Sequence, residues 1–177
     1  MQQDGGPAGP GEAYISGALT TLDDGVRGRL FYELLGEIVV VAGLRAYLPH
    51  RATDPVAAPH LDARAVYEVD RAHVSRAQLV VAYGGVPSFG VGIEVEIARQ
   101  HSVPVILVVE RDRPVSRILL GDPAVVEVVR FADLDGLRRS LHDAVVRVRS
   151  ASRPDGTPQA SDHVVVQRFL ASLEHAR

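Results

Sequence analysis

Glu94 is the residue around which a chemistry can be built. It stands in "GGVPSFGVGIEVEIA" (84–98), where glycines, a proline and a serine lead into apolar residues alternating with glutamates. A glycine-rich turn that opens a helix brings backbone N–H groups and the helix N-terminus up to a ligand, an arrangement suited to an anion. Gly90 and Gly92 do not complete a GxGxxG pattern and no lysine follows, so neither the dinucleotide fingerprint nor a P-loop is present. An anion cradle alone gains nothing from a carboxylate in its first turn. Glu94 makes chemical sense there as a group acting on a carbon centre beside the anion. Asp70, in the helical stretch before the preceding strand, offers a second carboxylate. Paired carboxylates cleave glycosidic bonds through an oxocarbenium-like state, one meeting the anomeric carbon and the other handling protons.

What the chain lacks narrows the remaining choices. It has 177 residues and no Cys, which removes thiol catalysis, disulfides and thiolate-bound zinc. All 19 basic residues are Arg, so Schiff-base chemistry and a P-loop lysine are also excluded. The seven histidines show no HxH or HExxH spacing, and no metal or cofactor is called for. A net charge of -3 gives no electrostatic footprint for a nucleic-acid polymer. No apolar run reaches membrane-spanning length and no leader pattern opens the chain, so a cytoplasmic protein without a membrane partner is the expectation.

The elements that must position these residues alternate. Strands are expected at 13–19, 45–49, 78–84, 103–110 and 125–131. Helices are expected at 25–44, 61–77, 90–101, 115–122 and 134–148, with 51–60 a proline-rich loop. Leu30, Leu34 and Ile38 share one side of the first helix, which Gly43 suits as a stop; Val66, Val69 and Val74 share one side of the second. Continuous apolar strands between helices imply an α/β fold, a doubly wound, Rossmann-like (flavodoxin-like) five-stranded parallel sheet. Ligands then sit beyond the carboxyl ends of the strands, where the loops at 16–22, 50–60, 84–90 and 110–116 share one rim. Around this domain (13–149) the composition suggests a disordered arm (1–12), a linker (150–160) and a C-terminal helix (161–177).

"YISGAL" (14–19), Asp70 and "PSFGVGIEVEIA" (87–98), in that order and spacing, resemble the nucleoside 2-deoxyribosyltransferase superfamily across 13–148. Within it the chain is most similar to the nucleoside 5′-monophosphate N-glycosidases, which include 2′-deoxynucleoside 5′-phosphate hydrolases and cytidylate hydrolases. The resemblance implies Glu94 as the nucleophile that forms a covalent glycosyl-enzyme. It implies Asp70 as the residue that orients the sugar and assists proton transfer to the leaving base, and Tyr14 as a wall of the sugar site, beside Gly17 of the same motif. Ser88 falls where the monophosphate hydrolases bind phosphate, with Gly90 and Gly92 beside it; the transferases carry an aspartate at that position, which would repel a phosphate. Ser116, in "RPVSRILLG", falls on a second phosphate serine that reaches into the neighbouring subunit's site, implying a homodimer with shared active sites. "PHR" (49–51) resembles the "HR" of the cytidylate hydrolases, so that His50 and Arg51 face phosphate or base. The implied substrate is a nucleoside 5′-monophosphate, ribo or 2′-deoxy.

The chain departs from the pattern at Thr20, where deoxynucleotide hydrolases carry an arginine that Arg51 or Arg117 could replace. It departs again at Gln78, where the usual "AD" reads "AQ", a change expected to be structural. Base transfer through the same intermediate, and a nucleotide-binding sensor without turnover, stand as alternatives to hydrolysis. Each residue also has a plainer reading: Glu94 as a dipole-favoured acid in a first helical turn, Asp70 as a surface acid, Ser88 as a cap and Tyr14 as core. Glu96 reads as a solvated or ion-paired neighbour.

Overall fold

A computed structural model describes residues 10–19, 25–53 and 58–151. Five strands, β1 (Glu12–Ser16), β2 (Arg45–Tyr47), β3 (Leu79–Tyr83), β4 (Val105–Glu110) and β5 (Val125–Phe131), form one sheet. Its order is β2-β1-β3-β4-β5, and every neighbouring pair is parallel. This is the flavodoxin-like arrangement expected from the apolar strands. The strand order reverses between β1 and β3, the point of such a sheet beyond whose carboxyl ends ligands bind.

Helices cover both faces: α1 (Gly25–Val41), α2 (Pro49–Ala52), α3 (Ala63–Arg76), α4 (Phe89–Gln100), α5 (Arg117–Leu120) and α6 (Leu134–Ala151). The pleat divides β1 between two apolar layers. Ala13 and Ile15 join Leu35, Val39, Val81, Ile106, Leu137 and Leu141 beneath α1 and α6. Tyr14 joins Val74, Val80, Ala82, Val91, Val95 and Leu107 beneath α3 and α4. Burying side chains of this size is worth about 1.5–3 kcal/mol each, so both layers hold the sheet that aims the rim.

Local signals explain the ends. Asp62 caps α3 by accepting from the Ala65 amide at 2.8 Å. Gly43, at φ +87°, ends α1 in the left-handed conformation that glycine adopts without strain. The guanidinium of Arg149 on α6 donates to the carbonyl of Ala42 beside it. Two expectations need correction. Leu30 is 64% exposed and does not share the buried side of Leu34 and Ile38, because the inward stripe of α1 runs through Tyr32, Leu35 and Val39. The "PHRA" stretch forms α2, which begins with Pro49 in the first turn, where a missing N–H costs nothing. The first strand begins at Glu12 and the last described helix ends at Ala151. The rest of the expected arm, the linker and the C-terminal helix lie outside the described residues, as does Thr20.

Candidate active site

β1 supplies the floor of the site. Tyr14 and Ser16 are two apart, so both side chains project to the α3–α4 face. Glu94 reaches them from α4. The Tyr14 hydroxyl donates to Glu94 Oε1 at 2.8 Å, and the Ser16 hydroxyl donates to Oε2. Each carboxylate oxygen is therefore held by one hydroxyl. α4 starts at Phe89, so Glu94 lies in its second turn and not its first. The dipole-favoured reading thereby loses its basis, since that effect falls off within one turn.

Asp70 reaches the same space from α3. Thr53, just past α2, donates through its hydroxyl to Asp70 Oδ1 at 3.2 Å. Burial raises Glu94 to a pKa of about 7 against the pull of the Ser16 and Tyr14 hydroxyls, and the charge of Asp70 pushes it further up. Burial likewise raises Asp70, opposed by Thr53 and His73. Burial, then Glu94, then Asp70 holds the Tyr14 phenol well above its ordinary value, so it remains a donor. A half-neutral carboxyl held by two donors at the mouth of a sheet crevice can attack an electrophilic carbon once ionised.

Tyr47 of β2 lies beside Tyr14 across the strand pair. Its ring stacks on Tyr14 at 5.5 Å and on His73 of α3 at 3.6 Å. His73 Nδ1 is 2.8 Å from Glu12 Oε1. The Tyr47 hydroxyl is buried without a hydrogen-bond partner, and burial together with Asp70 pushes its pKa up to about 12. Ser16, Thr53, Tyr47 and His73 were not anticipated. Ser16 could have been found from its two-residue spacing to Tyr14; the others depend on strand register and helix docking.

Ser88 is the N-cap of α4, its Oγ accepting from the Val91 amide at 3.5 Å. A side chain at Gly90 would touch only Ser88 Oγ, at 3.6 Å, and one at Gly92 would meet nothing within 4 Å. The first turn of α4 is thus open to a ligand. Gly17 has a packing reason for its identity, because a Cβ would overlap the Tyr32 ring, whose hydroxyl donates to the Ala18 carbonyl at 2.9 Å. His50 and Arg51 are both bound to Glu33 of α1: His50 Nε2 lies 2.7 Å from Oε1, and Arg51 Nε donates to Oε1 at 2.9 Å. Ser116 is exposed at the start of α5, and its side chain makes no capping bond. Tyr14, Asp70 and Glu94 are therefore brought together, with Ser88 at the head of Glu94's helix. His50 and Arg51 pair with a helix carboxylate, and Ser116 stands on a separate rim loop. Glu96 is ion-paired with Arg99 at 2.6 Å, and Gln78 packs its amide over Gly11. Among the described residues, no group of three or more His, Asp or Glu could hold a metal ion.

A doubly wound parallel sheet with a half-buried carboxylate pair near its switch point defines the class of architecture. By sequence, the chain matches no protein-family model and no curated protein. Solved structures share its fold. BlsM superposes with a TM-score of 0.65 at 22% identity, covering 85% of this chain and 99% of its own. A CMP N-glycosidase from Clostridium botulinum, BcmB, gives 0.58 at 14%, covering 75% and 98%. A 2-deoxyribosyltransferase from Bacillus psychrosaccharolyticus gives 0.55 at 12%, covering 73% and 95%. At these identities the likeness is one of fold, and it places this chain's architecture with that of the 2-deoxyribosyltransferases and the CMP N-glycosidase. No helix among the described residues is long and apolar enough to cross a membrane.

Proposed function

We propose that the chain hydrolyses the N-glycosidic bond of a nucleoside 5′-monophosphate to free base and sugar 5-phosphate. The observation that carries this reading is Glu94, half-buried and close enough to feel the charge of Asp70, with each oxygen held by a hydroxyl of β1. The Glu94 carboxylate attacks C1′. The C1′–N bond breaks with its electron pair going to the base, which takes up a proton relayed through Asp70. A glycosyl ester remains on Glu94. Water then attacks C1′, the ester C–O bond breaks, Glu94 leaves as carboxylate and the water's proton passes out through Asp70.

The phosphate sits at the head of α4, where the open turn at Gly90 and Gly92 exposes N–H groups beside the Ser88 hydroxyl. A serine at this position tolerates a dianion that an aspartate would repel. Gly17 shapes the sugar side through Tyr32, and His50 with Arg51 lies at the base side, steadied by Glu33. Ser116 reaches the phosphate of a second copy, in a homodimer. The exposed apolar Phe89, Ile93 and Ile118, on the helices that carry Ser88 and Ser116, support that association.

The test incubates the protein with ribo- and deoxyribonucleoside 5′-monophosphates and the matching nucleosides, and follows free base by chromatography. Release from monophosphates, lost in Glu94→Ala, is the expected result. Release that requires an added acceptor base would instead mean transfer. Saturable nucleotide binding without product would mean a sensor, and an active Glu94→Ala variant would refute the mechanism.

A further inference from the structure

The glycine-rich loop ahead of Ser88 is gripped from both sides. Below it, the Tyr83 hydroxyl donates to Glu110 Oε1, and a Cβ on Gly85 would overlap both that hydroxyl and Glu110 Oε2. Above it, Arg113 Nε donates to the Gly85 carbonyl at 2.5 Å. Arg113 belongs to the β4–α5 loop that also carries Ser116. That loop is in turn fixed from β5: Arg130 Nη1 donates to the carbonyls of Arg111 at 3.0 Å and Arg113 at 3.3 Å, and approaches that of Glu110 at 3.4 Å. Two arginines in series thus tie the edge strand to the loop holding Ser116, and that loop to the loop holding Ser88. A cleft of about 650 Å³ lies against the same residues, lined by Gly85, Pro87, Glu110 and Arg113.

We infer that Arg113, itself held by Arg130, is a positioning residue that sets the Gly85–Ser88 loop for the 5′-phosphate; the inference rests on the proposed hydrolase reading. Gly85 precedes Ser88 by three residues, with Pro87 stiffening the path, so a displacement at the Gly85 carbonyl is carried to the Ser88 hydroxyl and the first N–H groups of α4. Neither arginine needs to touch the reacting atoms. The device therefore acts on recognition of the phosphate, while the Tyr14 and Ser16 hydroxyls hold the Glu94 carboxylate separately, from β1. Loss of a bond from a charged donor to this carbonyl weakens phosphate binding by about tenfold.

The experiment measures KM and kcat of Arg113→Met, Arg113→Lys, Arg130→Met and the Arg113→Met/Arg130→Met pair on a nucleoside 5′-monophosphate that the wild type cleaves, and kcat/KM on the matching nucleoside. Arg113→Met raises KM for the monophosphate about tenfold with kcat within about threefold, and leaves kcat/KM on the nucleoside unchanged. Arg113→Lys, whose ammonium can still donate to Gly85, recovers most of the loss. The double variant loses at least as much as Arg113→Met alone, because Arg130 also holds the carbonyls of Glu110 and Arg111 on the loop that carries Ser116. Should Arg113→Met fail to fold, Arg113→Gln carries the same readout. An unchanged KM, or an equal fall on nucleoside and monophosphate, overturns this inference alone. A wild type that cleaves no monophosphate overturns the hydrolase reading and takes this inference with it.

Discussion

Replacing Glu94 with glutamine makes the protein more stable in neutral and alkaline solution and, in the proposed hydrolysis, ends turnover. Burial holds the Glu94 carboxyl at about 7, against an ordinary value of 4.5. Between those two pH values the native chain keeps a proton that the unfolded chain has released. Stability therefore falls as pH rises through this window, because the native state binds more protons than the unfolded one. At about 1.4 kcal/mol for each pH unit, the loss on going from below pH 4.5 to above pH 7 is about 3 kcal/mol. Glutamine is neutral throughout and nearly isosteric, and its carbonyl can still accept from one of the two β1 hydroxyls. Thermal unfolding of both proteins from pH 4.5 to 8.5 reads the effect. The two curves lie together at the acid end and diverge above it, with Glu94→Gln higher by about 3 kcal/mol, or roughly 10 °C in Tm, at pH 8. A Glu94→Gln variant that keeps the wild-type pH slope would show that the proton sits elsewhere, and the account of Glu94 as a desolvated, poised carboxylate would fail.

Other expectations concern its neighbours. In the proposed hydrolysis, kcat/KM rises with pH through about 7 as Glu94 ionises. Tyr14→Phe removes a donor to the ionised form and moves that limb up by about half to one pH unit, and an unmoved limb would separate Tyr14 from Glu94. Tyr47→Phe deletes a buried hydroxyl without a partner and is neutral or stabilising by up to about 1 kcal/mol in denaturant unfolding. A loss larger than that would mean the hydroxyl is satisfied in solution. Gly85→Ala places a Cβ against Tyr83 and Glu110 and destabilises by about 1–3 kcal/mol, measured in the same way; an unaffected midpoint would show that the loop is loosely held.

The sheet was legible because buried parallel strands are written as unbroken apolar runs, as in "VPVILVVE", and because helical spacing lay between them. Leu30 misled because one apolar stripe on α1 was chosen by spacing alone, and only packing against β2 and α6 decides which stripe turns inward. α2 was missed because four residues are too short to show a period. Glu94, Asp70 and Tyr14 were singled out from local motif and order, and the fold brings these three side chains together. Tyr47, Thr53 and Glu33 escaped notice because each meets the site only through strand register or helix docking, which no short window of sequence contains. Glu33, which holds His50 and Arg51, lies 17 and 18 residues back, too far for a short window of sequence to pair them.

β1 hands alternate residues to two different layers: Ala13 and Ile15 to one, Tyr14 and Ser16 to the other. A slip of one residue in its pairing would bring alanine and isoleucine under Glu94 and drive a phenol and a hydroxyl into the apolar layer beneath α1 and α6. Such a misthreaded chain would lose the hydroxyls that hold Glu94 and its packing in one event. For this strand, the register that packs the apolar layer is also the register that sets two hydroxyls against Glu94, so one is not lost without the other.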